Sequence, residues 1–197
     1  MNKVNINARS TALMVMDCQN AIVGSLTPAD GQKVLANIQK AIVASREAGI
    51  QIIYVVVHFR EGYPEVSPRN ALFQGLKEAG GLKQGTPDAS ICEPIRPQTG
   101  DIIVTKKRLS AFTGSDLETI LRSRGIDTLV LSGVSTRGVI ESTARSAFDM
   151  DYGILVLEDC CADPEIEAHQ AAMKWVLPFT GTVCSSQDFL NALADKT

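Results

Sequence analysis

Apolar residues fall along this chain in two alternating rhythms. Six short runs are apolar or β-branched at nearly every position: Thr11 to Met16, Ile50 to Phe59, Asp101 to Thr105, Thr128 to Ser132, Gly153 to Leu157 and Gly181 to Cys184. Continuous runs of this length fit strands covered on both faces. Between them lie stretches with helical spacing. Gly31 to Ala48 places Val34, Leu35, Ile38, Ile42 and Val43 on one face, and Gly49 follows as a C-cap. Ser115 to Arg124, with Ser115 as N-cap, Arg137 to Met150, Glu165 to Val176 and Gln187 to Ala194 read the same way. Strand and helix in alternation predict an α/β chain. The architecture expected is a three-layer α/β/α sandwich around a six-stranded parallel sheet. Glu61 to Gly100 breaks the rhythm with five prolines and one helical piece near Asn70 to Ala79. An irregular segment of this length in a compact domain usually carries function or acts as a lid.

The 197 residues fit a single domain spanning 1–197 with a substantial core. The net charge of −3 argues against nucleic-acid or membrane-surface partners, which select a basic stripe. The densest basic run, Lys106-Lys107-Arg108, is too short to be one. The longest apolar runs fall well short of a membrane span. Met1 to Asn5 lacks the charged-then-apolar pattern of a leader, so a cytoplasmic setting is expected. The five cysteines are odd in number and form neither a CxxC motif nor a disulfide framework, so reduced, mostly buried thiols are expected. With two histidines, His58 and His169, no metal site of the usual ligand set is expected, and no cofactor is called for.

In open parallel sheets, ligands bind beyond the carboxyl ends of the strands. Asp17, His58 or Phe59, Lys106 and Ser135 all fall just past such ends. Alternation puts Asp17 and Gln19 on one side and Cys18 on the other. Asp17 is either a site carboxylate or a turn aspartate. Lys106 either holds such a carboxylate ionised and stabilises developing negative charge, or joins Lys107 and Arg108 in a solvated turn. Gln19 is poised to orient substrate or water, or to make a structural hydrogen bond. Arg108 is a candidate for a substrate carboxylate, with an ion pair to Asp127 or Glu118 as its more usual fate. Arg137 stands near the expected site mouth, with solvent or a partner subunit as the alternative contact. His58 reads as a rim or core histidine and His169 as structural.

At these residues the chain resembles the isochorismatase-like (cysteine hydrolase) family. The matching pieces are Asp17-Cys18-Gln19, the string from Lys106 to Phe112 with Thr113 to Leu117 behind it, Gly125 to Thr136, Thr143 to Asp149, and Leu157-Glu158-Asp159. Together they run from about Thr11 to Leu190 in the family's order. The resemblance implies a six-stranded parallel sheet, a homo-oligomer (dimer or tetramer), and a catalytic Asp, Lys and Cys. Asp17 matches the acid and Lys106 the lysine. The position of the cysteine falls on Val139, which carries no nucleophile. The resemblance also implies a cis peptide at Val134-Ser135 that turns backbone N–H groups toward the site as an oxyanion hole. The metal site of the family's nicotinamidases is not matched, because Glu61 to Pro94 contains no histidine.

Without a thiolate, covalent attack on an amide or nitrile is closed to this chain. Ser135, Thr136 and Ser142 are hydroxyls nearby, but helix geometry points none of them where residue 139 points. The isochorismatase branch of the family cleaves a vinyl ether by protonating carbon and adding water, and needs no covalent intermediate. The leading expectation is therefore a hydrolase acting on a small, acidic metabolite through Asp17 and Lys106. The alternatives are a catalytically silent small-molecule-binding member, and an amide hydrolase in which Asp17 activates water.

Overall fold

The structure is a computed structural model that describes residues 6–194, so the leader reading at Met1 to Asn5 lies outside the described residues. All six strands form: β1 (Thr11–Met16), β2 (Gln51–Val57), β3 (Ile102–Lys106), β4 (Thr128–Val134), β5 (Gly153–Ala162) and β6 (Thr182–Cys184). They pair in parallel, in the order β3-β2-β1-β4-β5-β6. β1 is buried at all six positions, as its continuous apolar run requires.

Pleating sends successive side chains to opposite faces and so divides the core in two. Leu13, Val15, Ile52, Tyr54 and Val130 pack with Val34, Ile38 and Ile42 of the long helix Pro28–Glu47 and with Phe189 of the C-terminal helix Ser186–Ala194. Met14, Met16, Ile53, Val55 and Leu129 pack on the other face. Their partners are Leu117 and Leu121 of helix Leu117–Ser123, and Ala144 and Ala147 of helix Glu141–Asp149. The sandwich therefore has the expected three layers. No helix among the described residues is long and apolar enough to cross a membrane.

The helix boundaries shift for local reasons. The long helix starts at Pro28, before Gly31, because Thr27 caps it by accepting the Asp30 N–H and proline suits the first turn. Ser115 does accept the Leu117 N–H, although the helix begins at Leu117 itself. The stretch Glu165 to Val176 is not one helix. Ile166–Ala171 passes into a π-helical turn, Ala172–Val176, and then into Leu177–Thr180. Pro178 has no N–H to give the preceding turn, and the helix widens there. β5 runs to Ala162 rather than stopping at Leu157. The acidic Glu158 and Asp159 lie within the longer strand, and Asp159 caps the last helix, accepting from the Ser186 N–H and hydroxyl at 2.6 Å each.

The segment between β2 and β3 is organised by a satellite core. Phe59, Tyr63, Val66, Phe73, Leu82 and Ala89 pack with Val57, and helix Ala71–Glu78 supplies Phe73. The Phe59 ring lies tilted against Tyr63 and Phe73, with centroids 5.6 Å and 5.7 Å away. Among these residues only Val57 belongs to the sheet, so the segment forms a cover with its own apolar interior.

At the centre, β4 crosses unusually close to β1. Gly133 has φ +134°, and a Cβ built there would lie 1.9 Å from the Met16 carbonyl oxygen. The β4–β5 register also shifts between Leu131 and Gly133. Gly133→Ala is expected to destabilise the fold by about 3 kcal/mol or more, since both the backbone angle and the contact oppose a methyl group. Urea denaturation checks this, and a loss below 1 kcal/mol would contradict the close approach.

Candidate active site

β1 is where the strand order reverses. The chain winds outward to β2 and β3 on one side, and to β4, β5 and β6 on the other. The crevice at the carboxyl ends of such strands is the expected ligand position. Asp17 follows β1 directly, with its N–H donated to the Val55 carbonyl at 2.8 Å and φ at +53°. Aspartate tolerates this left-handed conformation better than most residues. The turn breaks the strand's alternation, so sequence parity no longer decides which way Asp17 and Gln19 face.

Lys106 ends β3, two strands away from β1. Neighbouring strands lie about 4.8 Å apart, so its side chain must reach across β2 to meet Asp17. It does so: Nζ lies 2.8 Å from Asp17 Oδ2, with 2% and 8% of the two side chains exposed. Nζ also donates to the Arg108 carbonyl at 2.8 Å. Asp17 Oδ1 is buried and has no hydrogen-bond partner. Burial raises the Asp17 carboxyl from 3.8 to about 6, and the charge and hydrogen bond of Lys106 hold it from rising further.

The third corner is the turn after β4. Val134 is buried, and its peptide bond to Ser135 is cis, as the resemblance implies. Thr136–Ile140 forms a π-helical turn, with the Ile140 N–H reaching back to the Ser135 carbonyl at 3.3 Å. Val139 is 1% exposed and packs in the cluster that holds Met16, Leu131 and Ile140. Ser135 is partly exposed, and a Cβ on Gly138 would sit 2.6 Å from its hydroxyl. The glycine leaves room for that side chain.

Other candidates have structural contacts. Gln19 is fully buried. Its Nε2 donates to the Val57 carbonyl at 3.0 Å and the Ala89 carbonyl at 2.7 Å, and its Oε1 accepts the Val57 N–H at 2.8 Å. Both amide protons are used, so Gln19 ties the end of β2 to the cover rather than offering a donor to a substrate. Arg108 meets neither Asp127 nor Glu118. It donates to the Lys107 and Glu65 carbonyls and lies 5.5 Å from the Phe73 ring centroid, clamping the cover. Arg137 pairs with Asp163 at 3.2 Å, and Asp163 also accepts the Arg137 N–H. His58 contacts the Ala89 carbonyl at the rim. His169 Nδ1 lies 2.8 Å from the Thr136 hydroxyl.

Four of the five cysteines are buried, all five are free, and burial pushes their thiols up, so none is an activated nucleophile. No group of three or more metal-ligating side chains occurs among the described residues. Sequence reasoning missed Asp163 and Glu65, which brace the turn and the cover. Asp163 does carry a local signal, since it precedes a helix and accepts the Glu165 N–H.

A six-stranded parallel sheet of this order, with a buried Asp–Lys pair at its switch point, defines a three-layer α/β/α class with a polar site at the strand ends. The isochorismatase domain matches residues 11–188, and the chain belongs to the isochorismatase family. It is 37% identical to the ureidoacrylate amidohydrolase RutB of Stutzerimonas stutzeri, over 96% of this chain and 85% of that one. It is 34% identical to the isochorismatase family protein YwoC of Bacillus subtilis, over 96% and 97%. Its fold matches a cysteine hydrolase from Pseudomonas syringae pv. phaseolicola with a TM-score of 0.89 at 23% identity, covering 98% and 97% of the two chains. RutB is named an amidohydrolase, and this chain is an enzyme of the same isochorismatase family of hydrolases.

Removing one member of a buried ion pair strands the other. Lys106→Met is expected to cost about 3 kcal/mol at pH 8, and Lys106→Met with Asp17→Asn to recover most of it. The loss should shrink toward pH 5, where Asp17 takes up a proton. In the wild type the folded carboxyl titrates near 6 and the unfolded one near 3.8, so stability falls as pH rises between them. Urea melts across pH check both signs.

Proposed function

We propose that this chain hydrolyses a small, acidic metabolite by direct addition of water, with Asp17 and Lys106 as the catalytic pair and Val139 at the position of the family's cysteine. The observation that carries this reading is Asp17 Oδ1: a buried carboxylate oxygen with no partner, whose twin is held by Lys106 at 2.8 Å. A carboxyl fixed at one oxygen and free at the other suits proton transfer. A pKa near 6 leaves both protonation states accessible around neutral pH.

On a vinyl ether, the Asp17 carboxyl gives its proton to the enol-ether carbon. Water adds to the resulting oxocarbenium carbon, and its proton returns to Asp17. The hemiketal then breaks into a ketone and an alcohol. Lys106, 2.8 Å from Oδ2, steadies the carboxylate between the two transfers. Backbone N–H groups at the Val134-Ser135 turn hold the carboxylate of the acidic substrate.

A second reading is favoured by the amidohydrolase names among the homologues. There Asp17 takes a proton from water, which attacks the carbonyl carbon of a C–N bond; the tetrahedral adduct then collapses, the C–N bond breaks, and Asp17 returns the proton to the leaving nitrogen, giving an acid and an amine. The two readings differ in pH response. As general acid, Asp17 gives a kcat/KM that falls as pH rises above about 6; as general base, one that rises through about 6 and levels off.

The test is steady-state turnover on isochorismate and on ureidoacrylate. Asp17→Asn is expected to lower kcat at least about 100-fold with its circular dichroism unchanged. Full activity in a folded Asp17→Asn overturns the reading, and ligand binding without turnover by the wild type replaces it with a binding role. Val139→Cys is expected to raise only the amide rate.

Association into a homo-oligomer is part of the same proposal. Phe148 and Phe179 lie 5.9 Å apart on neighbouring helices and are exposed with Trp175. Light scattering is expected to show a dimer or larger species, and Phe148→Ser with Phe179→Ser to reduce its mass.

A further inference from the structure

The end of the sheet opposite Asp17 holds a cavity of about 360 Å³. It opens among the amino ends of the strands, lined by the lead-in to β1, the start of β2, the residues before β3 and those before β4. β2 is seven residues long, so this mouth is about 20 Å from the Asp17 end. None of its lining residues takes part in the catalytic reading.

Three arginines from separate elements converge on the cavity: Arg9, Arg46 and Arg124. One carboxylate, Asp101, lines it with them. Asp101 binds Arg46 at 2.5 Å and also accepts the Gln98 N–H at 2.8 Å, so its charge is committed. Arg124 donates to the neutral Gln51 Oε1 at 2.9 Å. The Arg9 guanidinium makes no hydrogen bond or ion pair among the described residues. The lining thus carries two positive charges in excess, in a chain whose net charge is −3.

A buried hydroxyl adjoins this charge. Tyr54 is 1% exposed, its Oη has no settled hydrogen-bond partner, and it feels the charges of both Asp101 and Arg46. Like charges gathered at one concave mouth repel one another unless a counter-charge joins them. Arginine forks match tetrahedral and carboxylate oxygens in paired hydrogen bonds.

We infer that this cavity is a binding site for a small dianion, phosphate or a short dicarboxylate, separate from the hydrolytic centre. The dianion's charge equals the excess on the lining. Arg9 and Arg124 bind it from the rim, and Arg46 binds it with the guanidinium nitrogens that Asp101 leaves free.

The experiment is isothermal titration of the full chain with inorganic phosphate at constant ionic strength, repeated with succinate and with chloride. Phosphate or succinate is expected to bind with one-to-one stoichiometry, and chloride to give no heat. At ten times its Kd the bound dianion should raise Tm by about 4 °C. Arg9→Ala with Arg124→Ala is expected to weaken binding at least tenfold while leaving turnover unchanged. Asp17→Asn should leave the affinity as it was, which separates this site from the catalytic one. Absence of binding by both dianions, or undiminished binding in the double arginine variant, overturns the inference. Competition between phosphate and succinate shows which of the two the cavity prefers.

Discussion

The buried pair of Asp17 and Lys106 is the interaction around which the rest is arranged. Taking two charges out of water is costly, and the cost is met only when partners are fixed in place. The sheet fixes them. β1 delivers Asp17 in a left-handed turn, β3 delivers Lys106 from two strands away, and the Arg108 carbonyl takes a second Lys106 proton. One carboxylate oxygen is left with no partner. A purely structural ion pair would gain by satisfying that oxygen, so its isolation marks the place where chemistry is expected.

The supporting parts act on backbone more than on substrate. Gln19 spends its amide on Val57 and Ala89. Arg108 spends its guanidinium on two carbonyls, and Arg137 pairs with Asp163. Each joins an otherwise separate segment to the strand ends. Glu65 joins this group, because its carboxylate meets Arg60 and Lys107 while its carbonyl meets Arg108. The cover between β2 and β3 is held by its own aromatic cluster at its centre and by these polar ties at its edges.

The two ends of the sheet carry opposite electrostatic logic. At the carboxyl ends a lone acid is balanced by a lone lysine in near-complete burial. At the amino ends three arginines line an open cavity with one aspartate, which pairs with Arg46. The first arrangement is closed and tunes a proton, while the second is exposed and carries uncompensated charge. That contrast distinguishes the proposed reactive centre from the proposed ligand-binding mouth.

The sequence alone determined the strands, their parallel pairing and the layer of helices on each face. Continuous β-branched runs and helical spacing are local signals that burial enforces directly, and they placed Asp17 and Lys106 at strand ends. Tertiary structure decided what local pattern does not encode. The turn at Asp17 cancelled the parity that grouped it with Gln19. The reach of Lys106 across β2 depends on strand order. Arg108 found carbonyls rather than Asp127 or Glu118, because the cover folds back over Phe73. β5 outran its acidic residues because Asp159 had a helix to cap. Gly133 shows the limit most plainly. A glycine in a strand is visible in any sequence, but its reason here is the carbonyl of Met16, more than a hundred residues earlier in the chain.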